Sequence, residues 1–491
     1  MIESIRIQNL KSIKDSGEIE IKPLTVLIGK NSSGKSTFLR TFPLLKQSFE
    51  ANLSDPILWF HEYYVDFGSF RNSLNEECDG ANDTINLSFV FSNVIPRLYR
   101  SNRVKRIAVK LFIGEHAIKK YELIIDNLNH VIFELDDSSK EYILYINDEI
   151  IKGAKFVASE NGRKKMPVYK ERQKPYYYHG ISIVSEAIAK KYAESETEER
   201  RMLFESPSLM LNELITMQSA EKDAADFFKN ALRIEKDIDE GDIKTVATNL
   251  ICNTVIEILE MVEDYMANSF TRVQYFQPIR ARGDRFYRVQ GLNTKEVDSD
   301  GNNGAMFLFN LSETKRSSFE KWCLDNFGFT YSISKKTDGV ESTSIIVKTN
   351  KKDHQERNMT DVGFGYSQIF PIILSLWNDA NSEKTYYEKV YVIEQPELHL
   401  HPAFQKRIMN AIFNIIRVSK ETKTPTKFII ETHSETIINA IGREISEHGN
   451  GSNVNLLVCN KINNYTNFEK MVFDKNGLIE NWPIGFFTDD E

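Results

Sequence analysis

Gly29-Lys30-Asn31-Ser32-Ser33-Gly34-Lys35-Ser36-Thr37 is the stretch on which the reading of this chain turns. It fits the pattern G-x-x-x-x-G-K-[ST]. The apolar run Leu24-Thr25-Val26-Leu27-Ile28 precedes it, and Phe38-Leu39-Arg40-Thr41-Phe42 follows as the first turns of a helix. Strand, loop and helix therefore stand in the order that a phosphate loop requires. A triphosphate needs several donors facing into one concave turn. Gly29 and Gly34 let the backbone bend so that successive N–H groups point inward. The helix start adds partial positive charge. Lys35 would reach the β- and γ-phosphates of ATP, and the Ser36 hydroxyl would ligate Mg²⁺.

The 491 residues are too many for one compact domain. A hydrophobic share of 41% supplies a core, and 27% charged residues make the chain soluble. The formal charge of −8 leaves any nucleic-acid face to be a local patch. Cys78, Cys252, Cys323 and Cys459 stand far apart with no C-x-x-C. Reduced thiols in the cytoplasm follow, rather than structural zinc or a disulfide framework. No signal peptide opens the chain, and no apolar run is long enough to span a membrane.

Residues 4–13 and 18–28 alternate apolar and polar, then end in a buried strand, so two strands lead into the phosphate loop. Pro43 is expected to bend or end the helix that follows. Residues 84–150 hold short strands with polar turns, an antiparallel sheet. Residues 153–182 change character. Arg163, Lys164, Lys165, Lys170, Arg172 and Lys174 alternate with Tyr169, Tyr176, Tyr177 and Tyr178. This basic segment, 163–178, fits either a solvated loop or a track for nucleic acid. Residues 183–270 look helical, as in Glu186–Glu205, without a sustained heptad. Arg280, Arg282, Arg285 and Arg288 crowd one loop, where they could meet phosphate or pair with acids. Asp298-Ser299-Asp300-Gly301 reads as a turn.

Lys389-Val390-Tyr391-Val392-Ile393 is a buried strand ending in Glu394-Gln395-Pro396-Glu397-Leu398-His399-Leu400-His401-Pro402. A carboxylate at such a strand end suits a Mg²⁺ site, so Glu394 is the expected metal ligand beside Ser36. A second buried strand, Lys427-Phe428-Ile429-Ile430, ends in Glu431-Thr432-His433-Ser434. His433 would lie on the same edge, within reach of a γ-phosphate or an attacking water. His399 and His401 lack a third metal ligand. Gly363, Gly365 and Ser367 open a helix and make a second anion-binding N-terminus. Two such helix starts suggest a composite site shared by two subunits.

The order of these motifs resembles the ABC-class ATPases of the OLD, RecF and SMC type, and Glu394–Pro402 resembles the OLD-like branch. Gly477–Phe487 is similar to the ending of one bacterial subgroup. The resemblance implies an α/β fold: an ABC-type head with a mixed sheet, an antiparallel β lobe and a helical insertion. Residues 1–152 would be the N-terminal part of the head, 153–270 the basic loop and insertion, and 271–491 the C-terminal part of the head.

It implies that Gly29–Thr37 is Walker A and Glu394 the Walker B acid. Gly363, Gly365 and Ser367 would be the signature facing the other subunit's γ-phosphate. His399–Pro402 falls at the D-loop, and His433 matches the switch histidine. Asp66–Phe70 is the candidate for the lobe junction where a Q-loop would sit. Many relatives carry a Glu general base where this chain has Gln395, and an amide cannot accept a proton at neutral pH. Glu397 or His433 would substitute, or hydrolysis is slow. The OLD nuclease domain has no counterpart in the short segment after His433.

The function implied is an ATP-dependent homodimer that gates a separate effector, a nuclease, in bacterial antiviral defence. A RecF-like DNA-repair clamp is the alternative. The subunit of a transporter fits less well, given the long stretch from Thr37 to Asp361.

Overall fold

The computed structural model describes residues 1–78, 83–94, 104–125, 129–151, 155–158, 166–169, 239–280, 283–289, 296–336, 342–349, 356–381, 387–422 and 425–480. The cations of the basic segment, the Glu186–Glu205 helix, Arg282 and the aromatic tail Trp482–Phe487 lie outside these residues. The chain forms two compact units. One comprises Met1–Glu20, Gln47–Trp59 and Phe67–Thr271, the other Ile21–Lys46, Phe60–Asp66 and Arg272–Glu491.

The chain opens with β1 (Ile2–Leu10), β2 (Ile13–Asp15), β3 (Ile19–Glu20), β4 (Leu24–Gly29) and α1 (Lys35–Glu50). Only β4 joins the sheet of the phosphate loop. β1 pairs antiparallel with β2, β3 and β5 (Ile85–Val94) in the first unit. The burial patterns give the reason. β4 is buried at all six positions, as a parallel strand covered on both faces must be. β1 alternates more and belongs to a sheet with one wetter face.

α2 (Phe70–Ser73) is a single turn capped by the Ser69 hydroxyl. The first unit continues with β6 (Val104–Ile113), β7 (Ile118–Ile125), β8 (Asn129–Asp136) and β9 (Glu141–Ile146), then three two-residue strands. These are β10 (Glu149–Ile150), β11 (Phe156–Val157) and β12 (Val168–Tyr169). The order is β12-β11-β9-β8-β7-β6-β5-β1-β2, an antiparallel meander as expected. α3 (Glu240–Thr271) packs on it through aromatic rings. Phe270 meets Phe89 edge-on at 5.1 Å, and Tyr265 meets Phe91 at 5.2 Å.

The second unit holds β13 (Val273–Phe276), β14 (Tyr287–Arg288), α4 (Gly304–Asn310), α5 (Glu313–Phe327), β15 (Thr330–Lys336), β16 (Ser342–Lys348) and β17 (Arg357–Asn358). α6 (Phe364–Ala380), β18 (Lys389–Glu394), α7 (Pro402–Thr422), β19 (Thr426–Glu431), α8 (Glu435–His448), β20 (Val454–Ile462) and β21 (Tyr465–Met471) complete it. β14 to β17 form a small antiparallel sheet. The main sheet runs β13-β18-β19-β4-β20-β21. Every pairing in it is parallel except the last, where Asn463 and Asn464, both at positive φ, turn a hairpin. The α/β head with a phosphate loop, a mixed sheet and an antiparallel lobe is thus the architecture that the sequence implied.

Its core gathers Val26, Ile28, Tyr391, Ile393, Phe428 and Ile430 with the apolar stripe of α7, including Ile408, Ile412 and Ile416. Pro43 does not end α1. Phe38, Leu39, Phe42, Leu44 and Leu45 are all buried around it, and that packing outweighs one missing backbone hydrogen bond.

Candidate functional site

β4 stops at Gly29, and the chain bends through Lys30, Asn31 and Ser32, all exposed, into α1. Ser32 has φ 62°. Gly34 has φ 98°, and a Cβ there would lie 2.0 Å from the Thr466 hydroxyl on β21, so no other residue fits. Lys35 is 3% exposed. Its ammonium donates to the carbonyls of Gly29 and Lys30, both at 2.9 Å. Burial pulls its pKa down, opposed by the Glu431 charge. The buried Ser33 hydroxyl has no partner. Thr37 contributes its carbonyl to the Thr41 hydroxyl, at 3.0 Å.

Ser36 and Arg40 stand one turn apart on the same face of α1. Glu394 and Glu431 are register partners at the ends of β18 and β19. The helix face and the strand ends therefore meet in two pairs. Ser36 Oγ donates to Glu431 Oε2 at 2.7 Å. Arg40 grips Glu394 with both arms, Nε to Oε1 at 2.7 Å and a terminal nitrogen to Oε2 at 2.8 Å. The Tyr275 hydroxyl on β13 adds a bond to Glu394 Oε1 at 2.6 Å. The hydrogen bond to Glu394 raises the Arg40 pKa, while burial, with the Glu394 charge beside it, raises that of Tyr275. Burial also raises the Glu431 pKa against the pull of the Ser36 hydroxyl.

The chain then turns at Gln395, whose φ of 44° is uncommon for a side chain of that size. Its N–H is fixed to the Glu431 carbonyl at 2.8 Å. Glu397 Oε1 accepts the backbone N–H of His433 at 2.7 Å, which joins the two strand ends. Glu397 Oε2 and His433 Nε2 are buried without partners. Burial raises the Glu397 pKa. Burial and then Lys35 lower that of His433.

Arg280 is 2% exposed. Its guanidinium donates to the carbonyls of Glu394 (3.0 Å) and Gln368 (3.4 Å), and its backbone N–H to Gln368 Oε1 (3.0 Å). Burial pushes its pKa down to about 10. Arg280 thus meets carbonyl oxygens, neither of the alternatives open from sequence. Arg285 does pair with an acid, Asp361, at 2.5 Å. Arg288 is exposed on β14.

Gly363 caps the start of α6. Ser367 is 5% exposed, and its hydroxyl returns to the Phe364 carbonyl at 2.8 Å. A Cβ on Gly365 would lie 2.7 Å from the His399 carbonyl, so glycine allows the helix to approach that loop. The helix start, His399 and His401 line a cavity of about 260 Å³ with Phe329, Tyr366 and Phe404. No cluster of three metal-ligating side chains occurs among the described residues.

Lys35, Ser36, Glu394, Gln395, Glu397 and His433 lie together at one edge of the main sheet. The sequence reading did not single out Glu431, Arg40, Tyr275 or the inward turn of Arg280. Glu431 carried the same signal as Glu394, an acid closing a buried strand. Arg40 lies four residues after Ser36 in a helix. The set suits a triphosphate and a hard divalent cation. Ser33 Oγ and His433 Nε2 are buried and unpartnered, and a hydroxyl with two carboxylates supplies oxygen ligands of the kind that Mg²⁺ takes.

No helix among the described residues is long and apolar enough to cross a membrane. No curated protein matches the chain. Among solved structures, the chain is similar to the Smc head domain of Pyrococcus furiosus bound to the C-terminal domain of ScpA. Identity is 11%, coverage 96% of each chain and TM-score 0.36. The SMC head domain from Thermotoga maritima is similar at 9% identity, over 96% of this chain and 98% of that one, with a TM-score of 0.35. A family model described as AAA ATPase domain matches residues 1–438. With the phosphate loop, its lysine and the two strand-end acids all inside that span, the chain belongs to the AAA ATPase domain family.

Proposed function

We propose that this ATPase-family chain binds ATP with Mg²⁺ at Gly29–Thr37, closes as a homodimer and gates a separate effector. The observation that carries the reading is the convergence of Lys35, Ser36, two buried strand-end carboxylates and the unpartnered His433 nitrogen. Lys35 leaves the loop carbonyls for the β- and γ-phosphates, and the Ser33 hydroxyl and loop N–H groups take the remaining phosphate oxygens. Ser36 and Glu394 would hold Mg²⁺, which would supply charge neutralisation to the phosphates. His433 orients the γ-phosphate or the attacking water. The Gln395 amide cannot take the proton, so the buried Glu397 carboxylate beside His433 is the base.

Gly363, Gly365 and Ser367 form the signature that the partner's ATP meets. That surface lies beside the His399–His401 cavity and is tied through Gln368 and Arg280 to the Glu394 carbonyl. Closure at the signature is thereby felt at the acid end of β18. The effector is a nuclease acting in antiviral defence, a reading that rests on the resemblance to OLD-like ATPases.

Lys35→Ala tests the core of the proposal. ATP affinity should fall by at least about 100-fold, in line with the loss of a charge-assisted contact, with the secondary structure intact by circular dichroism. Wild-type affinity in that variant would sink the assignment. Ser367→Arg tests closure, since bulk and charge at the signature should abolish ATP-driven dimerisation in light scattering.

A further inference from the structure

We propose that Glu431 is a second carboxylate ligand of the divalent cation that accompanies ATP, and that it makes ATP binding depend on that cation. The inference rests on the ATP reading above and adds a residue that the motif assignment does not contain.

Sheet order places it. β19 lies between β18 and β4, so Glu431 is one strand closer to the phosphate loop than Glu394. The Ser36 hydroxyl, the expected cation ligand of the loop, reaches Glu431 at 2.7 Å. Both oxygens of Glu394 are already bound, by the Arg40 fork and the Tyr275 hydroxyl. Glu431 has the Ser36 hydroxyl and, at 3.8 Å, the Lys35 ammonium.

Charge then decides the chemistry. In the structure, Arg40 balances Glu394 and Lys35 balances Glu431. Phosphates entering the loop draw Lys35 to themselves. Glu431, 4% exposed, is left as a buried anion facing more anions. Such a charge is costly unless a cation arrives. Mg²⁺ is held by one or two carboxylates plus phosphate oxygens and water, which fits a hydroxyl and two neighbouring acids. Glu431 therefore repels metal-free ATP and welcomes the Mg²⁺ complex.

The experiment is a titration of a fluorescent, slowly hydrolysed ATP analogue into the full chain, with EDTA and across a Mg²⁺ series. Wild type should bind far better with Mg²⁺. Glu431→Gln should shrink that gain by about tenfold or more and should bind the metal-free analogue more tightly than wild type. Glu431→Asp keeps the charge but withdraws it. It should leave metal-free affinity as in wild type and raise the Mg²⁺ midpoint, so the test survives if the Gln variant does not fold. Wild-type Mg²⁺ dependence in whichever variants fold overturns the role of Glu431 alone. Wild-type protein that binds no nucleotide under either condition overturns the ATP reading together with it.

Discussion

β18 and β19 are parallel neighbours that both end in Ile-Glu, Lys-Val-Tyr-Val-Ile-Glu and Thr-Lys-Phe-Ile-Ile-Glu, each buried at its last five positions. Their glutamates are register partners. Glu394 is nevertheless saturated by a bidentate arginine and a tyrosine, whereas Glu431 faces a serine hydroxyl and a more distant lysine. The difference comes from α1, which lays Arg40 over one strand end and Ser36 over the other. An acid at the end of a buried strand is thus not made a metal ligand by its position alone. The residue that crosses above it sets its charge.

Arg40→Ala gives the largest expected change. It strands Glu394 in a buried position, which typically costs about 3–5 kcal/mol. The outer part of Arg40 is open to solvent, which places the loss near roughly 3 kcal/mol. Urea unfolding measures it, and a loss below about 1 kcal/mol would mean that the fork does not hold this acid. Tyr275→Phe sharpens the same point. It removes one bond to a charged acceptor, about 1.5 kcal/mol, and leaves the arginine in place. A Tyr275→Phe variant as unstable as Arg40→Ala would reverse the ranking of the two partners.

Gln395→Glu asks whether the end of β18 lacks a base. Turnover should rise about tenfold, below the 10²–10⁴-fold typical of general bases, on the proposal that Glu397 supplies a base in its place. Unchanged steady-state turnover would show that the amide is not what limits the rate.

The smallest effect is a displaced pH limb. As the proposed base, Glu397 would have to be ionised, and burial holds its pKa above the ordinary glutamate value. Activity should therefore fail, as pH drops, at a higher pH than a solvated glutamate would allow. Glu397→Gln should abolish that limb along with most turnover. A limb at the ordinary glutamate position would remove Glu397 from the role.

The phosphate loop was legible because its chemistry is local: glycine for positive φ, a lysine, a hydroxyl, a strand before and a helix after. Glu394 and His433 were legible as strand-end residues for the same reason. The alternation in 84–150 read correctly as an antiparallel sheet, since a sheet with one wet face writes its period into the chain. The sheet that β1 joins was not legible, because alternation shows that a strand has a wet face, not which partner it pairs with.

Sequence alone determined that the chain has a nucleotide loop and a set of acids, with a histidine, at one sheet edge, because each rests on a few adjacent residues. Tertiary structure alone decided which acid faces which cation. That pairing depends on β19 inserting between β18 and β4, an order the chain does not follow, and on the angle at which α1 crosses them. It also decided that Arg280 turns inward to carbonyl oxygens rather than outward to an acid. Electrostatics is a function of distance, and distances between residues hundreds of positions apart exist only once the chain has folded.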